Sequence, residues 1–110
     1  ERALLRFLEK QGFSVARIAG SGHNTPADIL AIKKGIVIGL ECKAHRAKPK
    51  IKKEKVLELK QWCETAGALG FLAWRAPKKD WLFLPLKNLE ENTNQDENWM
   101  NMSSFLRALI

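Results

Sequence analysis

Two cysteines among 110 residues, Cys42 and Cys63, form no pattern. One falls in a strand-like run and the other in a helix-like run, so both read as reduced core thiols of a cytosolic protein. A zinc site is also short of ligands, since Cys42 and His45 lack two further partners at finger spacing. No apolar run approaches the roughly 20 residues of a membrane span, and no stretch reads as a signal peptide. Internal repeats and low-complexity segments are missing too. The chain lacks an initiator Met and opens within a helical pattern, which reads as a trimmed or partly ordered product. What is left is one globular domain, 45% hydrophobic, spanning 1–110. Residues 1–87 read as its core, and 88–110 as an acidic loop followed by an apolar segment.

Acid is in short supply as well: 12 Asp and Glu stand against 19 Lys and Arg, a net charge of +7. The excess is local. Lys43, Arg46, Lys48, Lys50, Lys52, Lys53 and Lys55 crowd one stretch with Glu54 alone to oppose them. Such a block can be only a soluble loop. Large apolar residues are not interleaved with it, which disfavours a membrane surface. A polyanion such as nucleic acid fits better, given what precedes the block.

What precedes it is a carboxylate pair. Ile29-Leu30-Ala31-Ile32 and Ile36-Val37-Ile38-Gly39-Leu40 are β-rich runs joined through Lys33-Lys34-Gly35, with glycine where a tight turn needs positive φ. A two-residue Lys34-Gly35 loop sets Ile32 against Val37, Ile29 against Leu40 and Asp28 against Glu41. Opposed like charges destabilise a sheet, so the pair calls for a divalent cation. Alternation puts Lys43 on the face of Glu41. Two acidic ligands beside an ammonium suit metal-assisted phosphodiester cleavage. The bland reading is an ordinary ion pair, and the chain holds a second Glu-x-Lys, Glu58-Leu59-Lys60, in a helical stretch where a solvated face is expected. The first copy differs in lying on a strand too apolar to be an open edge.

Around this hairpin, Glu1 to Gly12 reads as a helix with Leu4, Leu5 and Leu8 as its stripe. Glu1 falls in line with that stripe, and three readings stand: fraying, a favourable helix dipole, or a carboxylate aimed at a metal. Phe13 to Ile18 is a strand. Gly20-Ser21-Gly22-His23-Asn24-Thr25-Pro26 is a loop, either an ordinary connector or a phosphate contact through backbone N–H groups and Ser21. His23 and His45 read as exposed. Ile51 to Ala66 is the second helix, burying Val56, Leu59, Cys63 and Ala66 and stopping at Gly67. Leu69 to Arg75 suits a strand buried on both faces, as a βαβ crossover produces. Trp81 to Pro85 is a fifth strand, Asn88 to Asn98 an acidic solvated loop, and Phe105 to Ile110 a short helix capped by Ser103 or Ser104.

The order α-β-β-β-α-β-β, with Pro26-Ala27-Asp28 and Glu41-Cys42-Lys43 on the central hairpin, resembles the PD-(D/E)xK nuclease superfamily. More narrowly, it is similar to the archaeal Holliday junction resolvases. Glu1-Arg2 opening a helix that runs to Glu9-Lys10-Gln11-Gly12-Phe13, and Arg17-Ile18-Ala19-Gly20-Ser21, carry the likeness further. The loop over 20–27 is long for a resolvase.

The resemblance implies an α/β, restriction-endonuclease-like core: a mixed central sheet flanked by helices. It implies a crossover junction endonuclease that resolves four-way DNA junctions by paired symmetric nicks in recombination and repair. Asp28, Glu41 and Glu1 then match metal ligands for Mg²⁺, with Mn²⁺ substituting, and the Cys42 backbone carbonyl completes the coordination. Lys43 matches the catalytic lysine and Ser21 a loop serine near the phosphate. Arg2, Arg17, Arg46 and Lys48 match DNA-contacting positions, and Lys50, Lys52 and Lys53 extend that surface. A homodimer on branched DNA follows, cytoplasmic and nucleoid-associated, with no membrane and no small-molecule cofactor. The apolar C-terminus and Trp62, Trp74, Trp81 and Trp99 could form its interface or belong to the monomer core. Rival readings are a restriction-type nuclease, a RecB-like exonuclease and a non-catalytic DNA-binding module. Thr65 stands where the exonuclease branch has tyrosine, and the intact carboxylates and lysine argue against the module.

Overall fold

A single mixed sheet organises the chain. In the computed structural model, residues 2–18, 26–43, 51–88 and 99–109 are described. Helix α1 (Arg2–Lys10) is followed by β1 (Ser14–Arg17), β2 (Ile29–Lys33) and β3 (Ile36–Lys43). Helix α2 (Lys53–Ala66) then leads to β4 (Leu69–Trp74) and β5 (Leu82–Pro85). A 3₁₀ turn (Leu86–Asn88) and α3 (Met102–Ala108) complete the order. The strands lie in sequence order, β1 to β5. All neighbours are antiparallel except β3 and β4, which α2 connects as a parallel crossover. The sheet and helices are those of a restriction-endonuclease-like core. No described helix is long and apolar enough to cross a membrane.

The β2–β3 hairpin has the register that its sequence dictates. Lys34 and Gly35 both take positive φ, 47° and 86°, the geometry that matches a two-residue turn to strand twist. Ile32 then faces Val37 and Ile29 faces Leu40. Alternation divides β3 between two cores. Ile38 and Leu40 face α1 and α3, joining Leu4, Leu8, Ile29, Phe71, Phe83 and Phe105. Gly39 faces α2, whose Val56, Leu59 and Cys63 join Ala27, Leu72, Leu84 and Leu86. The apolar end of the chain belongs to the first of these cores. Phe105 is fully buried, stacks on Phe83 at 3.9 Å and meets Phe71 edge-on at 5.0 Å. Phe83 also exchanges two backbone hydrogen bonds with Met100, which covers the outer edge of β5.

Several boundaries differ from the sequence reading. Helix α2 starts at Lys53, with Ile51 buried ahead of it. Ala66 is exposed, because the helix ends at once in the left-handed Gly67 and Ala68 continues the buried stripe instead. Its end is closed by Ala68 N–H donating to the Cys63 carbonyl at 2.8 Å. Helix α3 is capped by Asn101, whose Oδ1 accepts the Ser104 N–H at 2.8 Å. Ser103 and Ser104 therefore lie inside the helix rather than before it. The first strand is shorter than Phe13–Ile18, and the fifth begins after the buried Trp81. The acidic stretch over 89–98 lies outside the described residues.

Helix α2 approaches the sheet through glycine. Gly39 and Gly70 are cross-strand partners on β3 and β4, and Cys63 Sγ lies 3.0 Å from where a Cβ at either position would stand. At Gly70 the same Cβ would meet Leu86 Cδ1 at 2.5 Å. Leu86 is 2% exposed, and Cys63 closes in on the same position from α2. Gly70→Ala should therefore cost about 1–3 kcal/mol by overpacking. Urea denaturation of the variant checks this, and unchanged stability would mean that α2 is not seated as described.

Candidate active site

The site forms where β3 outruns β2. The last β2–β3 partners are Ile29 and Leu40, whereas Glu41, Cys42 and Lys43 continue along β4 opposite Leu72, Ala73 and Trp74. Asp28 stands at the point of departure. In a regular strand a residue's N–H and C=O point to one side. Those of Asp28 are split: its N–H donates to the Leu40 carbonyl at 2.7 Å, and its C=O accepts the Ile18 N–H at 2.8 Å on the opposite neighbour. The chain turns here, and the Asp28 side chain takes over from the backbone. Its Oδ2 accepts the Cys42 N–H at 2.8 Å, satisfying a donor that β2 no longer reaches. Asp28 and Glu41 are thus not a regular cross-strand pair, as their spacing had suggested. They are joined through the peptide next to Glu41.

Ala27 fits the motif for a packing reason. It is fully buried in the α2 core, and its Cβ lies 3.9 Å from where a Cβ on Gly39 would stand. A larger residue at 27 would push against Gly39 and α2 together.

Glu41 and Lys43 share the α2 face of β3, while Cys42 points into the opposite core. Lys43 Nζ lies 3.6 Å from Glu41 Oε1, with the two side chains 27% and 12% exposed. Burial raises the Glu41 carboxyl above its ordinary value; Lys43 opposes this, Asp28 adds to it, and Lys55 opposes it again. Lys55 and Glu58 come from α2 and, with Pro26, line a small recess against Glu41. Lys55 closes the basic block seen in the sequence, whereas Glu58 had read only as a solvated face; both flank the Val56–Leu59 stripe and so fall at the helix–sheet seam. Glu58 belongs to the second Glu-x-Lys motif. It is exposed, as a solvated face would be, yet it borders this recess.

The other candidates are spread out. Arg2 is exposed at the start of α1, and Arg17 at the end of β1, one residue before the Ile18–Asp28 hydrogen bond. Lys52 and Lys53 are exposed at the start of α2. Glu1, Ser21, Arg46, Lys48 and Lys50 lie outside the described residues, as do His23 and His45. Among the described residues, no three His, Cys, Asp or Glu side chains gather into a metal-binding group. Trp74 borders Lys43 across the sheet and meets Trp99 edge-on at 5.6 Å. That aromatic wall ties it to the monomer.

The sequence profile of the family described as "Archaeal holliday junction resolvase (hjc)" matches residues 1–107. The chain belongs to this family. It is 42% identical over 74 residues to the crossover junction endodeoxyribonuclease Hjc of Methanocaldococcus jannaschii, covering 66% of this chain and 53% of that one. It is 34% identical over 93 residues to the protein of the same name from Archaeoglobus fulgidus, covering 82% and 68%. The chain thus spans between about half and two thirds of the length of these relatives. The solved structure of Archaeoglobus fulgidus Hjc, a Holliday junction resolvase, superposes with a TM-score of 0.84 at 26% identity, covering 99% of this chain and 97% of that one. The family likeness therefore extends over all three helices and the whole sheet, beyond the first half of the sequence.

Because burial raises the Glu41 carboxyl, the folded chain holds that proton more tightly than the unfolded chain does. Stability is then lost as pH rises from the ordinary carboxyl range, about 4.3, through the raised folded value, and the cost is complete above it. In EDTA, Glu41→Gln should be more stable than the parent at pH 7. That difference should shrink as the pH falls below the ordinary range. Urea melts at both ends of the window test this; a variant no more stable at pH 7 would mean that Lys43 and Lys55 offset the burial fully.

Proposed function

We propose that this chain is a metal-dependent, structure-specific endodeoxyribonuclease that cuts four-way DNA junctions. The observation carrying the proposal is the gathering of Asp28, Glu41 and Lys43 at the end of β3, in a member of a resolvase family. Two carboxylates and a backbone carbonyl are hard oxygen donors. They suit Mg²⁺, which is held by one or two carboxylates and completes its shell with water and phosphate. Asp28, Glu41 and the Cys42 carbonyl would hold it, joined by Glu1. When bound, such an ion lowers the pKa of water and neutralises charge on a phosphate oxygen. Lys43, held against Glu41, orients or deprotonates the attacking water or offsets charge building on the phosphorane. Water oxygen bonds to phosphorus, the P–O3′ bond breaks, and the products are a 5′-phosphate and a 3′-hydroxyl. Ser21, Arg2, Arg17, Arg46, Lys48, Lys50, Lys52 and Lys53 would line the DNA path.

One site per chain calls for two chains to nick opposing strands, so we take the working unit to be a homodimer whose two-fold axis matches that of the junction. Phe105, Leu109 and Trp81 are buried within the monomer and do not supply its interface. The apolar groove along Leu69, Phe71, Pro85, Leu86 and Met100 is the better candidate, and Leu69 is 46% exposed. The proposed setting is the nucleoid, in homologous recombination and repair.

Asp28→Asn and Glu41→Gln should abolish cleavage in Mg²⁺ while leaving junction binding nearly intact. Lys43→Ala should cut poorly, and Lys60→Ala, from the second Glu-x-Lys, should cut normally. A gel assay of a four-way junction beside linear duplex, with and without Mg²⁺, reads all four. Substantial cleavage by either carboxylate variant overturns the site. Equal cutting of linear duplex by the parent chain moves the reading to a general nuclease. Mixed dimers carrying one Glu41→Gln chain should nick only one of the two strands.

A further inference from the structure

Glu41 has a basic neighbour on each side. Lys43 stands on the same strand, and Lys55 reaches the recess from the first turn of α2. The root of Lys55 is fixed. Val56, the next residue, is 6% exposed in the core with Leu59 and Cys63. Cys63 in turn sits on Gly39, two residues before Glu41. Helix α2 cannot slide along the sheet without unseating that contact, so Lys55 and Glu41 keep their spacing.

The recess between them holds about 10 Å³, room for about one water-sized group. A DNA strand cannot enter it and must lie across its rim. On the α2 side the rim cation is the exposed Lys55, and on the strand side it is Lys43. Formal charge points the same way. Among the described residues three carboxylates, Asp28, Glu41 and Glu58, face two ammonium groups, Lys43 and Lys55, and removing Lys55 takes a positive charge from the side of the recess where a phosphate would lie.

We propose that Lys55 is a further catalytic residue whose ammonium holds a non-bridging oxygen of the scissile phosphate, opposite Lys43. This rests on the nuclease reading above. Lys55 also draws the Glu41 carboxyl downward against its burial, in keeping with an ammonium close to the reacting centre. Its part differs from that of the basic residues along the DNA path, which set affinity. Lys55 sets the rate once DNA is bound.

The test is single-turnover cleavage of a mapped four-way junction in Mg²⁺ at saturating protein, with binding measured separately in Ca²⁺. Lys55→Gln should lower the saturated rate on the order of 10²-fold while the dissociation constant stays close to the parent's. Lys55→Arg should restore part of the rate, and Lys10→Ala, an exposed lysine at the end of α1, should match the parent. Mn²⁺ titration without DNA gives a readout independent of cleavage: Lys55→Gln should bind the ion more tightly, having lost a positive charge beside Glu41. A saturated rate equal to the parent's, or a loss confined to binding, overturns the proposal. So does unchanged Mn²⁺ affinity, which would put the ammonium away from Glu41. Failure of the parent chain to cut any DNA would instead refute the nuclease reading.

Discussion

Strand β3 is longer than the partner that precedes it, and the rest of the site follows from that mismatch. Three residues beyond Leu40 keep β4 on one side and lose β2 on the other. A strand that loses a neighbour leaves backbone donors to satisfy, and inside a protein an unpaired N–H costs about as much as a lost hydrogen bond. Asp28 solves this by turning out of its own strand and offering a carboxylate oxygen to Cys42. The acidic group is therefore part of the sheet's closure as well as of the site. Removing its oxygen would disturb the strand that carries Glu41 and Lys43, so structural and chemical roles cannot be separated by deleting the side chain outright. The isosteric asparagine, which keeps an acceptor, is the informative replacement.

The second constraint is the depth at which α2 sits. Paired glycines on neighbouring strands leave a hollow that Cys63 fills. This explains a buried thiol whose pKa burial pushes to about 11, which keeps it protonated and unreactive. It also explains why helix residues reach Glu41 at all. With alanine at both glycines the helix would have to lift, and its first two turns, with Lys55 and Glu58, would withdraw from the end of β3. Packing at the middle of the sheet thus governs the electrostatics at its end.

Much of this was legible from residue order alone. Lys34-Gly35 between two β-branched runs determined the hairpin register, because a two-residue turn admits one pairing and a one-residue slip would have turned Ile29 and Ile38 to the wrong face. Once that register held, Glu41 and Lys43 had to share a face. The turn at Asp28 was not legible, because it depends on where β2 stops and no local signal marks that point. Nor was the place of Glu58. A helical Glu-x-Lys looks solvated in sequence, and only the seating of Cys63 brings one edge of α2 against the strand. The cap of α3 was misread because Ser103 and Ser104 are good caps in isolation, whereas the chain had already turned helical after Asn101.

Burial and charge at Glu41 pull in opposite directions, and the balance explains the shape of the site. A carboxylate 12% exposed is costly unless opposite charge lies close. Lys43 and Lys55 provide it from two different elements, so no single side chain neutralises Glu41. Full neutralisation by one tight pair would hold the fold more firmly and leave the carboxylate oxygens committed. Divided between a strand lysine at 3.6 Å and a helix lysine across a recess, the compensation is weaker, and oxygen lone pairs remain open to a harder and more highly charged partner. The raised carboxyl pKa is the residue of that incomplete compensation. It leaves Glu41 a carboxylate that the fold satisfies only in part.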